Sequence, residues 1–234
     1  MARAALLGAA IALLPAPALA QAYQCTVPQG AVAVPAAPRT GETRRLPITG
    51  YTLALSWSPE HCRGRERSPA DQRQCSGHAG RFGLIVHGLW PEGQGQWPQY
   101  CPTSRTVSPA EARQNLCMTP SPALLANEWA KHGACMVRDP ESYFKVTRIL
   151  WRSLHLPDLD ALSHQPGLTV GGIRTAFATA NPGFRRDAVG IFTNDHGWLT
   201  EMRLCYGKDF RPAPCGVRRS GQPDSRSVKI WRGL

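Results

Sequence analysis

Phe82-Gly83-Leu84-Ile85-Val86-His87-Gly88-Leu89-Trp90-Pro91 is the stretch on which the reading of this chain turns. Its first five residues form a short continuous apolar run, the pattern of a core strand that delivers His87 at its end, held by a sheet yet reachable from solvent. Such a strand needs partners. Tyr51 to Ser58 offers one: Leu53, Leu55 and Trp57 alternate with Thr52, Ala54 and Ser56, a half-buried strand pattern that Pro59 ends. Ala188 to Thr193 and Trp198 to Tyr206 flank the turn Asn194-Asp195-His196-Gly197 and predict a hairpin, and Ser227 to Arg232 reads as a final strand.

Helix signals lie between these strands. Ser108-Pro109-Ala110-Glu111 sets Ser at the N-cap, Pro at the first helical position and Glu at the capping-box position. Ser121-Pro122 opens a second helix with Leu124, Leu125 and Trp129 as a core stripe. Asp139-Pro140-Glu141 opens a third that runs to about Leu154, with Tyr143, Phe144, Ile149, Leu150 and Trp151 available for burial. A weaker helix follows Thr169 and stops at Asn181-Pro182-Gly183. Residues 60–80 carry Arg63, Arg65, Arg67 and Arg73 with no apolar period, a surface loop whose arginines form either a phosphate-contacting rim or a merely solvated face. With no repeats and no second composition regime, residues 48–234 are expected to form a single α+β domain, a central antiparallel sheet with helices packed against it.

Residues 1–20 show a lone Arg3, an apolar run from Ala4 to Leu14 and the small-residue ending Ala18-Leu19-Ala20, a secretory signal with cleavage after Ala20. The run is shorter than the roughly 20 apolar residues of a spanning helix, and no later stretch qualifies. The expectation is a secreted or periplasmic protein. Residues 21–47, rich in Pro and Ala, read as a flexible lead-in tied down only through Cys25. Eight cysteines on an exported chain imply disulfides, and about 105 pairings are open to spacing alone. A formal net charge of +11 favours polyanions, nucleic acid first among them.

Two clusters carry candidate chemistry. His87 is followed by Trp90, and Glu128, Lys131 and His132 fall at i, i+3 and i+4 of the predicted second helix, projecting to one side. Cleaving RNA without metal requires a base for the ribose 2′-OH and an acid for the departing 5′-oxygen, and two imidazoles near neutrality suit both tasks. Lys131 is placed to meet charge on the phosphate oxygens. Glu128, one turn before His132, orients that imidazole and favours its protonated form, while Lys131 opposes it. Trp90 offers a stacking surface for a base. Taken singly, each has a plainer reading: a structural histidine, a core tryptophan, a solvated helix face.

Phe82 to Pro91 and Glu128-Trp129-Ala130-Lys131-His132-Gly133-Ala134-Cys135 resemble the two active-site segments of the ribonuclease T2 family, secreted and periplasmic endoribonucleases. The resemblance extends less sharply from Tyr51 to the C-terminus and leaves residues 21–47 uncovered. It implies an α+β fold and metal-independent cleavage of RNA, with little base preference, through a 2′,3′-cyclic phosphate. By motif position it makes His132 the base and His87 the acid, with Glu128 and Lys131 supporting the pentacoordinate phosphate. Trp90 becomes a wall of a base pocket and Glu92 an acidic base contact. Many relatives carry a histidine where this chain has Asn127, and an amide brings no positive charge, so weaker phosphate binding and a shifted pH optimum are expected. The resemblance further implies Cys101–Cys135 and Cys205–Cys215; Cys62–Cys75 fits a local loop, leaving Cys25 with Cys117.

The expected enzyme is a monomer acting on RNA without cofactor or metal, and DNA is spared because it lacks the 2′-OH. Two other classes compete: a cationic RNA-binding module without catalysis, which the intact His87, Glu128, Lys131 and His132 argue against, and a metal-dependent phosphoesterase, for which grouped ligands are few.

Overall fold

A computed structural model describes residues 24–233; the expected secretory signal lies outside the described residues. The elements run β1 (Gln24–Cys25), β2 (Gly50–Trp57), α1 (Ser58–Cys62), α2 (Gln72–Cys75), β3 (Gly80–Arg81), β4 (Leu84–Glu92), α3 (Pro109–Asn115), α4 (Pro122–Lys131), α5 (Pro140–Arg152), α6 (Leu159–Ser163), α7 (Val170–Ala180), β5 (Val189–Thr193), β6 (Leu199–Tyr206) and α8 (Val217–Ser220). Four strands form an antiparallel sheet in the order β4-β2-β6-β5, and β1 pairs with β3 alone. The fold is α+β.

The register divides the sheet into two faces. Across β5, β6, β2 and β4 the rows Val189, Leu204, Leu53, Leu89 and Ile191, Met202, Leu55, Val86 are apolar throughout. These residues enter one hydrophobic core with Leu125 and Trp129 of α4, Tyr143 and Phe144 of α5, and Ile173 and Phe177 of α7. Each such side chain buried contributes about 1.5–3 kcal/mol relative to exposure. The row between them, Gly190, Arg203, Ala54 and Gly88, belongs to the opposite face and holds one long polar side chain among three small residues. That opposite face carries His87, Glu201 and Arg203.

β4 departs from the expectation that its apolar run ends at His87: it continues through the motif to Glu92. Leu55 pairs with Val86 but Ala54 pairs with Gly88, so His87 is the extra residue of a β-bulge. Bulges re-aim side chains beside sites, and here the extra residue lets the chain turn an imidazole onto the polar face without disturbing Leu89 on the other. β2 also differs from a half-buried strand. It is an inner strand, flanked by β4 and β6, and both Thr52 and Ala54 are fully buried.

Side-chain caps set the helix starts. Ser108, Ser121, Asp139, Asp158 and Thr169 each accept a hydrogen bond from the backbone N–H three residues on. The capping box expected of Glu111 is only half made, because its buried carboxylate turns to Arg148 at 2.7 Å and Asn115 at 2.9 Å. Pro59 does not simply end β2 but opens α1, and the arginine loop contains α2. Ile149, expected in the core, faces solvent. Ser227 to Arg232 is no strand: it makes single bridges at Ser227 and Lys229, while Val228 and Ile230 are buried.

The cysteines pair as Cys25–Cys117, Cys62–Cys75, Cys101–Cys135 and Cys205–Cys215. Cys25 thereby anchors the lead-in, which is also held where Val32 enters the core and where Arg44 bridges to Gln99. Among the described residues no helix is long and apolar enough to cross a membrane.

Candidate active site

His87 projects from the bulge between two carboxylates. Its Nδ1 lies 2.9 Å from Glu201 Oε2 and 3.4 Å from Ser56 Oγ, while Nε2 lies 3.8 Å from Glu128 Oε1. The first of these is a hydrogen bond; the last is an electrostatic contact that leaves the Nε2 proton unspent. Burial pulls against the charged ring, but the Glu201 hydrogen bond and the fields of Glu128 and Glu201 outweigh it, raising the pKa above the ordinary histidine value. The same pairing, joined by Arg203 at 2.6 Å, holds Glu201 below the usual carboxylate range in spite of its burial.

α4 delivers the second cluster at its C-terminal end. Glu128 is buried, and burial raises its pKa against the opposing pull of His87, Trp90 and Lys131. Trp90 Nε1 donates to its Oε2 at 2.7 Å, and Asn127 Nδ2 donates to Oε1 at 3.2 Å. Glu128 therefore does not face His132, as its helical spacing suggests, but reaches over β4 to Trp90 and His87. Glycine at position 88 makes that reach possible, because a Cβ there would stand 2.0 Å from Glu128 Oε2. The Asn127 amide is likewise engaged with Glu128.

His132 is buried, and its Nδ1 has no hydrogen-bond partner among the described residues. Burial, then the charges of Lys131 and His87, push its pKa well below the ordinary value. The α4 C-terminus favours a cation by about 0.3–1 kcal/mol, which is too little to reverse the desolvation of a nearly enclosed ring. Behind it, Gly133 admits the rings of Trp129 and Tyr143, which would meet a Cβ at 2.6 and 2.8 Å.

One indole joins the two imidazoles, and His132 feels the charge of His87. Trp90 packs against both, edge-on to His87 at 5.2 Å and tilted over His132 at 5.6 Å between ring centroids. A cavity of about 440 Å³ holds His132, Lys131, Trp90, Glu92 and Trp97 with α8 on its far side. A second, of about 490 Å³, holds His87, Glu201, Ser56 and residues of the α1 loop. Arg203 lines both. Its guanidinium sits 4.0 Å from the Phe192 ring and 5.1 Å from that of Trp90, fixed by Glu201. Glu92 accepts a hydrogen bond from Thr52 at 2.6 Å at the edge of the first cavity.

Glu201 and Arg203 were absent from the sequence expectation. The signal was there: opposite charges two residues apart in an apolar strand share one face. Of the four loop arginines, only Arg65 lines the second cavity; Arg63 lies over Trp198 and Trp231, and Arg73 donates to Thr26 O. Among the described residues one group of three possible metal ligands gathers, His61, Asp71 and Cys75, and Cys75 is bonded to Cys62.

The sequence model of the ribonuclease T2 family matches residues 49–169. A ribonuclease of Aeromonas hydrophila is 31% identical over 164 residues, 68% of this chain and 72% of that protein. A probable ribonuclease of Haemophilus influenzae is 34% identical over 130 residues, 50% of this chain and 47% of that protein. Among solved structures, trichomaglin, an S-like ribonuclease, superposes with a TM-score of 0.62 at 22% identity, covering 78% of this chain and 98% of its own. RNase NT in complex with 5′-AMP gives 0.60 at 18%, covering 79% and 98%.

Proposed function

The chain belongs to the ribonuclease T2 family and is an RNA endonuclease, and from that premise we propose how it works. It cleaves single-stranded RNA with little base specificity and without metal, first by transphosphorylation to a 2′,3′-cyclic phosphate and then by hydrolysis to a 3′-phosphate. His132 takes the proton of the 2′-OH, whose oxygen attacks phosphorus. As the bond from phosphorus to the 5′-oxygen breaks, His87 protonates that oxygen through Nε2. In the second step the roles reverse, with water in place of the leaving nucleoside.

One observation carries this reading: two imidazoles against the same indole are driven in opposite directions, His87 toward its charged form and His132 toward its neutral form. A base must begin neutral and an acid protonated, so environments that separate the two pKa values assign the roles. Lys131 and Arg203 supply fixed positive charge for the phosphate oxygens. Trp90 and Glu92 flank the base on the 5′ side in the first cavity, while Asn127 acts through Glu128 rather than on phosphate.

The rest of the chain fits an exported monomer: residues 1–20 a signal, 21–47 a lead-in, 48–234 one domain, and every cysteine paired, as an oxidising compartment allows. DNA, which lacks the 2′-OH nucleophile, is not cut. The test is digestion of RNA in excess EDTA with identification of the termini. Cyclic and 3′-phosphates are expected, and His87→Ala or His132→Ala should each lower kcat about 10²–10⁴-fold. Cleavage that needs added metal, or near-native turnover in either variant, would defeat the proposal.

A further inference from the structure

We infer that the cavity beyond His87 is a subsite for the phosphodiester that follows the cleaved one on its 3′ side, with Arg65 as its main contact. The inference rests on His87 serving the leaving 5′-oxygen, since the strand attached to that oxygen must then continue past His87 and away from His132. The space it meets is a cavity of about 490 Å³, within the roughly 300–1,000 Å³ of small-ligand sites.

Its charge suits an anion. Glu201 is already engaged by His87 and Arg203. Glu60 receives the Asn194 amide at 2.8 Å, with Arg63 at 3.8 Å on its other oxygen. Arg65 lines the cavity without a salt bridge among the described residues; Asp71 feels its charge from beyond ion-pair distance while bonded to His61 and Ser68, and the Arg65 Nη1 donates to His61 O, its exposure leaving further donors for a ligand. The Cys62–Cys75 bridge and the 2.9 Å His61–Asp71 contact close this segment on itself, and the Asn194–Glu60 hydrogen bond ties its start to the turn after β5. A tethered loop presents its arginine at lower entropic cost than a free one.

Cleavage of deoxy strands that hold a single ribonucleotide, which fixes the one phosphodiester that can be cut, tests the subsite. The dinucleotide rN-dN is compared with rN-dN-dN, extended on the 3′ side, and dN-rN-dN, extended on the 5′ side. The 3′ extension is expected to raise kcat/KM several-fold. Arg65→Gln should abolish that gain, leave the effect of the 5′ extension unchanged, and reduce the salt slope of kcat/KM for the 3′-extended strand by about 0.7, the contribution of one single-strand phosphate contact. Arg65→Lys should restore most of it. No gain from 3′ extension in the native protein, or an equal loss on all three strands in Arg65→Gln, would overturn the inference while the proposed cleavage stands. Native-like cleavage of all three strands by His87→Ala would instead overturn the assignment of the leaving-group acid, and the inference with it.

Discussion

Glu201 decides how the charge at His87 is held. Its Oε2 takes the imidazole Nδ1 and its Oε1 takes Arg203, so one partly buried carboxylate fixes both the tautomer of His87, the proposed acid, and the position of the guanidinium shared by the two cavities. Replacing it with an amide removes a charge that favours imidazolium. In Glu201→Gln the His87 pKa therefore falls, the protonated acid is lost at lower pH, and the alkaline limb of the kcat/KM profile moves toward acid. The acid limb, which the proposed mechanism assigns to His132, should stay where it is. A pH–rate profile on a dinucleotide substrate checks this, and an unmoved alkaline limb would reduce Glu201 to a packing residue. The native profile should itself be broad, because activity holds from above the depressed His132 pKa to below the raised His87 pKa.

At the scale of elements, α4 and β4 share the site between them. α4 is anchored at its start by the Ser121 cap and packed through Leu125 and Trp129, and its last turn presents Glu128, Lys131 and His132. Ser121→Ala should lower stability by about 1 kcal/mol, seen as a shifted urea midpoint. Turnover per folded molecule should hold, since the cap lies at the end of the helix away from His132. β4 contributes through its bulge: without the extra residue at His87, either the imidazole or Leu89 would face the wrong side of the sheet. Cys101–Cys135 joins the chain beyond β4 to the turn just after α4, and Tyr100 N–H donates to Lys131 O beside it.

For the whole molecule, the disulfides close loops of very different length. Cys25–Cys117 spans 92 residues and Cys205–Cys215 spans 10. On the chain-entropy account, losing the long bridge costs about 3–5 kcal/mol and the short one less. Urea unfolding of the paired serine variants should rank them in that order, and Cys25→Ser with Cys117→Ser should still cleave RNA at low temperature, because neither sulfur lines the cavities. The formal charge of +11 gives the molecule a general attraction for polyanions that added salt weakens.

Much of this was legible in the residues. Caps, hairpin turn and apolar periods are local, and they located α3, α4, α5, α7, β5 and β6 to within a residue or two. The two motif segments named His87, Trp90, Glu128, Lys131 and His132 because those residues lie close together in the chain. What tertiary structure alone decided is the company they keep: Glu201 and Arg203 reach His87 only because β6 pairs with β2 in a register that sets Glu201 beside Ser56. Glu128 serves His87 instead of the histidine one turn away because a glycine in another element makes room for it. Register and close approach are properties of residues far apart in sequence, and a shift of one position would turn every such side chain to the other face.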